Sequence, residues 1–460
     1  MTSADQGAAF ADYGLLCPVW AGSPVAVETS DPAVLRGILD AEVGLAAGQA
    51  QLGLIPSPTA NVIRDVASTF TIDLPDVAGH ARGGGNPVIP VLAALRAAVA
   101  LADQDAADHL HYGATSQDIL DTAMMLVARR SLRIVVRDLR ASVDALIRLA
   151  DQNRRSAMAA RTLTQHSVPT TFGLKAAGWL IGLVDAAAAL EHAGVSLPVQ
   201  LGGAAGTLAS FTQIAQNAQA PGAELSLVDA FARELDLRSP RFPWHTHRAP
   251  VTDLGDALVG VGDALGKIAA DIAMLSRTEI AELREVGGAG TGGSSAMPQK
   301  HNPVLSVLIN SAARTAPGLA AELHRSAIAV DERPDGAWHA EWQTLRELLR
   351  QVGGAAALAA ELLPALAVDA DRMRENLAIT GPLIVSERVM LQAGPVLGRD
   401  RVKQLVRQAA ERPDTLYDML RAALPDWTDE RVRQLLDPEN YLGANDHLID
   451  RAVNHARGRS

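Results

Sequence analysis

Residues 117–150 read QDILDTAMMLVARRSLRIVVRDLRASVDALIRLA and contain neither proline nor glycine. Apolar residues recur in this stretch at the three- and four-residue intervals that mark one face of an α-helix. A helix of about 30 residues is about 45 Å long, so it needs partners of similar length. The apolar stripe consists of Ile119, Met124, Val127, Leu132, Val136, Leu139, Val143, Leu146 and Leu149.

Further long segments show the same periodicity. No run of alternating apolar and polar residues is long enough to require a sheet. Aromatic residues make up only 3% of the chain, while alanine and leucine abound, which also favours helix. We therefore predict an all-α fold around a central bundle of long helices. The segments are 252–285 and, approximately, 170–193, 303–325 and 339–362.

Shorter helical patterns flank this predicted bundle. They occupy the region before residue 110 and the region after Pro364, where turn signals recur at Gly381-Pro382 and Pro413-Asp414. The sequence therefore predicts three helical domains. Their boundaries are 1–110, 111–363 and 364–460.

Charge and composition limit the possible partners. The net charge of −11, without a compensating basic block, argues against nucleic acid. Cys17 is the only cysteine, which excludes an internal disulfide and a cysteine-based metal cluster. The acidic N-terminus does not resemble a signal peptide, and Lys175 and Asp185 interrupt the apolar window 174–190. We expect a cytoplasmic protein without a metal, an organic cofactor or a membrane segment.

A first polar island, HLHYGATSQDILDT, lies at 109–122. His109 and His111 have no third ligand at a matching spacing, so a metal pair is not indicated. Thr115 and Ser116 precede the long predicted helix, where such residues cap free backbone N–H groups. The alternative function of this helix start is to bind a carboxylate through the same donors.

A second island, ARTLTQHSVPTTFG, lies at 160–173 and contains Arg161, Gln165 and His166. One interpretation is a hydrogen-bonded histidine in a turn between helices. The other is a general acid or base, because histidine titrates near neutral pH. The residues alone favour the first interpretation slightly.

The third island is GGAGTGGSSAMPQKHNPV, residues 287–304. Residues 288–293 match the spacing GxGxxG, but no predicted strand precedes them, so a dinucleotide site is not indicated. A plain linker would not require Ser294, Lys300 and Asn302 beside two prolines. We predict a loop that closes over a site, excludes water and delivers a serine.

A fourth island, DERPDGAWHAEW at 331–342, interrupts another helical pattern. Arg333 in this island is either a surface charge or, within a bundle, a clamp for a carboxylate.

Together these islands resemble the fumarase/aspartase superfamily. GGSSAMPQKHNP matches every fixed position of its signature GSSxMPxKxNP, and HYGATSQDILDTA and ARTLTQHSVPTTFGLKAAGWL resemble the two other shared regions in the same order. The resemblance covers essentially the whole chain. It is most similar to the 3-carboxy-cis,cis-muconate cycloisomerase branch, through HYGATSQD, TFGLKAAGWL, VQLGGAAGTLA, FPWHTHR and GAWHAEW. Nitrosuccinate lyases resemble the same branch.

Two positions depart from the wider superfamily. Leu163 occupies the place of the Thr-His pair of fumarases and argininosuccinate lyases, and the histidine lies three residues later, at His166. The usual general acid is therefore absent from its place. His301 stands where this branch most often has arginine.

The resemblance implies a homotetramer with a 20-helix core and active sites shared between subunits. It also implies that Ser294 is the base, assisted by Lys300, and that His166 is the candidate proton donor. The intermediate would be an aci-carboxylate, which requires strong electrostatic stabilisation. The residues expected to bind the small di- or tricarboxylate substrate are Thr115, Ser116, Gln165, Lys300, Asn302, Arg333, His111 and Arg161.

Three functions are compatible with these residues. The motifs favour the cycloisomerase, in which a carboxylate oxygen adds to a conjugated double bond. The alternative is a lyase that releases fumarate from a 2-substituted succinate, with nitrite or an amine as leaving group. A non-catalytic helical scaffold is the remote third, and it would not require Ser294, Lys300 or Asn302.

Overall fold

The structure is a computed structural model, and it describes residues 13–286, 297 and 300–458. The described chain begins with six helices of 5 to 21 residues. Ser30 caps the N-terminus of the second of them by accepting a hydrogen bond from Ala33 N. These helices are α1 (Pro24–Glu28), α2 (Asp31–Gln51), α3 (Ser57–Thr69), α4 (Leu74–Gly84), α5 (Val88–Ala102) and α6 (Gln104–Asp108).

Five long helices follow, and they confirm the long helices predicted from the periodicity. The prediction for 252–285 was wrong at its end, because the helix stops at Leu275 and Glu282 N bonds back to Leu275 O. The long helices are α7 (Ser116–Gln152), α8 (Phe172–Val195), α11 (Ala249–Leu275), α12 (Val304–Ser326) and α13 (Ala337–Leu362). Between them lie α9 (Ala209–Asn217) and α10 (Ala223–Leu235).

The described chain divides into two compact units, and the first contains α9, α10 and parts of all five long helices. Helices α11 and α12 approach closely there, since a Cβ at Gly266 would lie 2.6 Å from the Ala313 Cβ. The first unit comprises the described residues of Met1–Asp138, Ala186–Gly266 and Leu308–Leu358.

The second unit comprises the described residues of Leu139–Asp185, Lys267–Val307 and Ala359–Ser460. An apolar core that includes Val402 and Leu420, both fully buried, holds its C-terminal helices together. The three predicted domain boundaries stay a prediction. The C-terminal helices are α14 (Ala370–Ala378), α15 (Ser386–Leu397), α16 (Arg399–Ala409), α17 (Leu416–Ala423), α18 (Asp429–Leu436) and α19 (Asn445–Arg457).

A β-hairpin occupies the second island, where the sequence suggested a turn between helices. Strand β1 (Ala157–Thr162) pairs antiparallel with β2 (Gln165–Thr171). The two residues of the turn, Leu163 and Thr164, both have positive φ, 49° and 72°. Such two-residue turns suit the twist of a hairpin even without the usual Asn-Gly sequence. A second small sheet pairs β3 (Leu283–Glu285) with β4 (Leu366–Val368), and the fold remains all-α in class.

The hairpin turn gives a stability prediction. A β-branched residue at φ 72° is strained, so Thr164→Gly is expected to raise the free energy of unfolding by about 1 kcal/mol. Thr170→Gly, in the paired part of β2, is the control and should lower it by about 0.5–1 kcal/mol. Urea denaturation checks both, and a loss of stability in Thr164→Gly would contradict the argument.

Helix α8 is long and apolar enough to cross a membrane by length and composition, as is the pair α4 and α5 taken together despite its bend of 119°. The Trp179 Nε1 of α8 donates to Asp271 Oδ2 at 2.8 Å, and the Lys175 ammonium lies 3.9 Å from the same carboxylate. These are contacts expected of a core helix. The absence of a membrane segment stays a prediction.

Candidate active site

Arg333 and Thr115, both predicted to bind substrate, meet at the start of α7 in the first unit. Arg333 Nη2 donates to Thr115 Oγ1 at 3.0 Å and to Ala204 O at 3.3 Å, while Nε donates to Gln117 Oε1 at 3.0 Å. The guanidinium is nevertheless exposed, and Ser116, the first residue of α7, is half-buried. The geometry therefore combines a cation with a helix N-terminus, an arrangement that attracts anions.

Asp118 organises the backbone around this helix start. It is fully buried and accepts hydrogen bonds from the N–H groups of Thr115, Gly202 and Gly203 at 2.8–3.1 Å. Its Oδ1 also lies 2.8 Å from Nε2 of the buried His245. The carboxylate therefore fixes the loop at 202–203 against α7, a role that the sequence analysis missed.

A buried ion cluster supports the same region. The Arg248 guanidinium bonds to Asp121, with Nη1 at 2.8 Å, and to Glu341, with Nη2 at 2.6 Å. Trp338 Nε1 donates to the other Asp121 oxygen at 2.8 Å. Burial alone would lower the pKa of Arg248, but the two carboxylates raise it, while burial raises the pKa of Glu341. The cluster connects α7, the residues directly before α11, and α13.

His111, another predicted substrate-binding residue, contacts a buried carboxylate. Its Nδ1 lies 2.6 Å from Oε1 of Glu42, a residue of α2 that is 2% exposed. Burial alone would lower the pKa of His111, but Glu42 and Asp118 together raise it above its usual value. His109 differs, because its Nδ1 lies 2.8 Å from the Asp105 carbonyl oxygen and 3.9 Å from the exposed carboxylate of the same residue.

The second unit contains the predicted residues of the hairpin. Arg161 on β1 makes a bidentate ion pair with the buried Glu282, with distances of 2.6 and 3.0 Å. Asn376 donates to the same carboxylate at 2.8 Å. The Arg161 charge is thus occupied by a protein carboxylate, and a direct contact between Arg161 and substrate stays a prediction.

His166 lies on β2 and shares a hydrogen bond of 2.8 Å between its Nδ1 and Thr380 Oγ1. Burial and the Arg161 charge lower the pKa of His166, and Glu282 opposes them only partly. The imidazole is therefore expected to be neutral at neutral pH. Gln165 is exposed and bonds weakly to Thr164, and Leu163 is 96% exposed.

Glu285 joins the two ends of the signature segment. It ends β3 and accepts hydrogen bonds from Leu305 N and Ser306 N at 3.0 and 2.9 Å, which caps the start of α12. Ser294 lies outside the described residues. Lys300 is exposed and Asn302 half-buried, directly before α12, and His301 is exposed.

The predicted residues therefore fall into two groups, each described within its own unit. That the two groups form one shared site stays a prediction. The first contains His111, Thr115, Ser116 and Arg333, and the second contains Arg161, Gln165, His166, Lys300 and Asn302.

The signature motif and the helical fold together indicate a lyase, and a comparison with known families supports this. Residues 45–318 match the model of a family described as lyase. The chain belongs to this lyase family, within the fumarase/aspartase superfamily. The matched span contains every site residue predicted for this chain except Arg333.

Individual members of the lyase family match almost the whole chain. A nitrosuccinate lyase from Streptomyces davaonensis is 48% identical over 97% of this chain and 95% of its own length. A 3-carboxy-cis,cis-muconate cycloisomerase from Bradyrhizobium diazoefficiens is 36% identical over 95% and 97%. The crystal structure of the 3-carboxy-cis,cis-muconate lactonizing enzyme from Pseudomonas putida superposes with a TM-score of 0.89 and 33% identity, over 97% and 99% of the two chains. The lyase or cycloisomerase class predicted from sequence is thus confirmed.

Proposed function

We propose that this lyase eliminates nitrite from 2-nitrosuccinate and releases fumarate. The 48% identity to a nitrosuccinate lyase over nearly both whole chains supports this proposal. The cycloisomerase that the sequence motifs favoured is less well supported, at 36% identity over a similar length.

The reaction begins at C3, the methylene carbon of nitrosuccinate, which lies between a carboxylate and the carbon that carries the nitro group. Ser294 removes a proton from C3, and the electron pair moves onto the adjacent carboxylate to form an aci-carboxylate. The pair then forms the C2–C3 double bond, while the C2–N bond breaks and its electrons leave with nitrite. Because the second negative charge develops on a carboxylate, the enzyme must place cations and N–H donors beside it.

Cationic side chains from both sets of predicted site residues, one set in each unit, would bind the carboxylates of the substrate. In the part of the chain that the structure describes, Arg333 uses Nε and Nη2 for protein contacts and has no hydrogen bond at Nη1. A guanidinium edge of this kind binds a carboxylate in a directed way. Lys300 and Asn302 lie directly before α12, and we propose that they complete the anion site. We propose a homotetramer that brings both groups into each site, without a cofactor.

The lowering of the His166 pKa by burial and by the Arg161 charge fits nitrite as the leaving group. Nitrite is a good leaving group that needs little protonation, whereas an amine must be protonated as it leaves. A neutral imidazole is a weak proton donor, so the lowered pKa of His166 favours the elimination of nitrite over that of an amine.

His166→Gln tests this role. A residue that acts as general acid contributes about 10²–10⁴-fold to the rate. For nitrite release we expect the kcat of His166→Gln to fall by less than about tenfold, below the range of general-acid catalysis. Steady-state kinetics check this, with Thr380→Val as the control that removes only the histidine's partner. A loss of about 10³-fold or more would assign His166 as the general acid.

The product ratio tests the proposed reaction. We expect purified protein with 2-nitrosuccinate to form nitrite, measured by diazo coupling, and fumarate, measured by ultraviolet absorbance, in equal amounts. Conversion of 3-carboxymuconate without any nitrite release from nitrosuccinate would instead assign the cycloisomerase. Inactivity on both compounds and on amino- and hydroxysuccinate would support the scaffold.

A further inference from the structure

The loop that carries His111 is held from three sides. Gln49 Nε2 of α2 donates to Tyr112 O at 2.7 Å, Arg96 Nη2 of α5 donates to Leu110 O at 2.9 Å, and Ser210 Oγ of α9 donates to Gly113 O at 2.6 Å. Three different helices thus fix the carbonyls of Leu110, Tyr112 and Gly113, and the His111 carbonyl accepts a hydrogen bond from Ala114 N within the turn. The turn is built as a rigid support for its side chains.

His111 itself occupies a strained position in this support. Its φ is +62°, a conformation that residues other than glycine rarely adopt and that costs about 1–3 kcal/mol. Gly113 is equally constrained, because a Cβ there would lie 2.8 Å from Ile214 Cδ1 and its φ is +85°. Strain of this kind persists where the surrounding structure requires one orientation of a side chain.

Glu42 provides a chemical reason for the orientation of His111. Its Oε1 meets His111 Nδ1, while its Oε2 is buried without a hydrogen-bond partner among the described residues. A carboxylate that is 2% exposed requires a counter-charge, and a neutral imidazole does not supply one. Burial of the ring opposes the imidazolium. Three charged groups also act on it: Glu42 from α2 and Asp118 from α7 favour the imidazolium, and Arg96 from α5 opposes it.

We propose that Glu42 is a positioning residue that holds His111 as an imidazolium, so that its Nε2–H donates to an anionic oxygen of the substrate. This inference rests on the proposed function, in which the substrate is a small anion beside Thr115 and Arg333. Glu42 itself need not touch the substrate. It determines the charge of His111 and which of the two ring nitrogens faces away from the protein carboxylate.

Glu42→Gln tests the proposal, because it keeps the shape of the side chain and removes its charge. The pKa of His111 is measured without substrate, by following the slow exchange of its C2 hydrogen with mass spectrometry in a His109→Gln background. We expect a midpoint above the ordinary value of 6.5 for intact Glu42, and a fall of about one unit or more in Glu42→Gln. Glu234→Gln, an exposed carboxylate on α10, is the matched control and should not shift it.

Kinetics supply the second readout. Burial lowers the pKa of His111, but the nearby carboxylates raise it above 6.5, so the imidazolium persists to higher pH than that of an ordinary histidine and is lost as the pH rises through the raised pKa. In Glu42→Gln this loss occurs at lower pH, so kcat/KM should fall at least about tenfold at pH 8 and much less at pH 6. Glu42→Asp, which retains the charge, should restore part of the activity at pH 8. An equal loss at both pH values, which a merely structural role would produce, overturns the proposal.

Different results would refute the proposed nitrite elimination and the proposed role of Glu42. Wild-type protein that releases no nitrite would refute the proposed function, while the exchange measurement on His111 would still decide the role of Glu42. An unchanged midpoint in Glu42→Gln refutes the positioning role even if nitrite is released. If Glu42→Gln does not fold, Glu42→Asp takes its place: it keeps the charge but moves it farther from the ring, so a lowered midpoint supports the proposal and an unchanged midpoint refutes it.

Discussion

Ser294→Ala is expected to lower nitrite release from 2-nitrosuccinate by at least about 10³-fold, because it removes the group that accepts the C3 proton. Ser294 is the first serine of the signature GSSxMPxKxNP, and it lies outside the described residues. We expect the melting temperature to change little, since Ser294→Ala removes a single hydroxyl group and leaves every other side chain of the protein as it was.

Ser295→Ala is the matched control, because it deletes the same atom from the adjacent residue. We expect its kcat to fall by much less than that of Ser294→Ala. Rapid-quench or steady-state measurements of nitrite separate the two variants, and circular dichroism confirms that both fold. A larger loss in Ser295→Ala than in Ser294→Ala would move the base to the second serine.

Arg248→Met is expected to destabilise the protein by about 3–5 kcal/mol. The substitution retains the length of the side chain but leaves Asp121 and Glu341, which are 3% exposed each, without their counter-charge. Two like charges would then face each other in the interior, and Trp244 would lose the guanidinium stacked 4.6 Å from its ring. Urea denaturation followed by circular dichroism measures the loss.

Arg137→Met is the control for this prediction. Arg137 also pairs with an aspartate, but its side chain is 64% exposed, and exposed ion pairs contribute only about 0–1 kcal/mol. A loss in Arg248→Met no larger than in Arg137→Met would show that the buried cluster does not stabilise the fold. Restored stability in a variant that also carries Asp121→Asn and Glu341→Gln would support the charge explanation.

The long helices could be predicted because their apolar residues keep a period of 3.6 over many turns. The end of α11 could not be predicted, because Ile280 and Leu283 continue the helical spacing of apolar residues after the helix ends at Leu275. The hairpin was also missed, because its turn residues Leu163 and Thr164 are not those that favour positive φ. In each case tertiary contacts override the local pattern.

The site was predictable where reactive residues interrupt helices, as for Thr115 and Arg333, which the structure brings within 3.0 Å. Its supporting residues were not. Asp118 looks like an ordinary acidic residue in the first turn of a helix, and its partner His245 lies 127 residues away. Glu42 lies in the middle of α2 and belongs to no recognisable motif. Pairs that are distant in sequence leave no periodic signal, so only the folded chain identifies them.

The most direct test of the proposed function is the kcat/KM of one protein preparation for 2-nitrosuccinate and for 3-carboxymuconate. A lyase that eliminates nitrite should prefer nitrosuccinate by at least about 100-fold, because the two transition states place charge on different atoms. An equal or reversed preference would contradict the proposal and assign the protein to the cycloisomerases of its family.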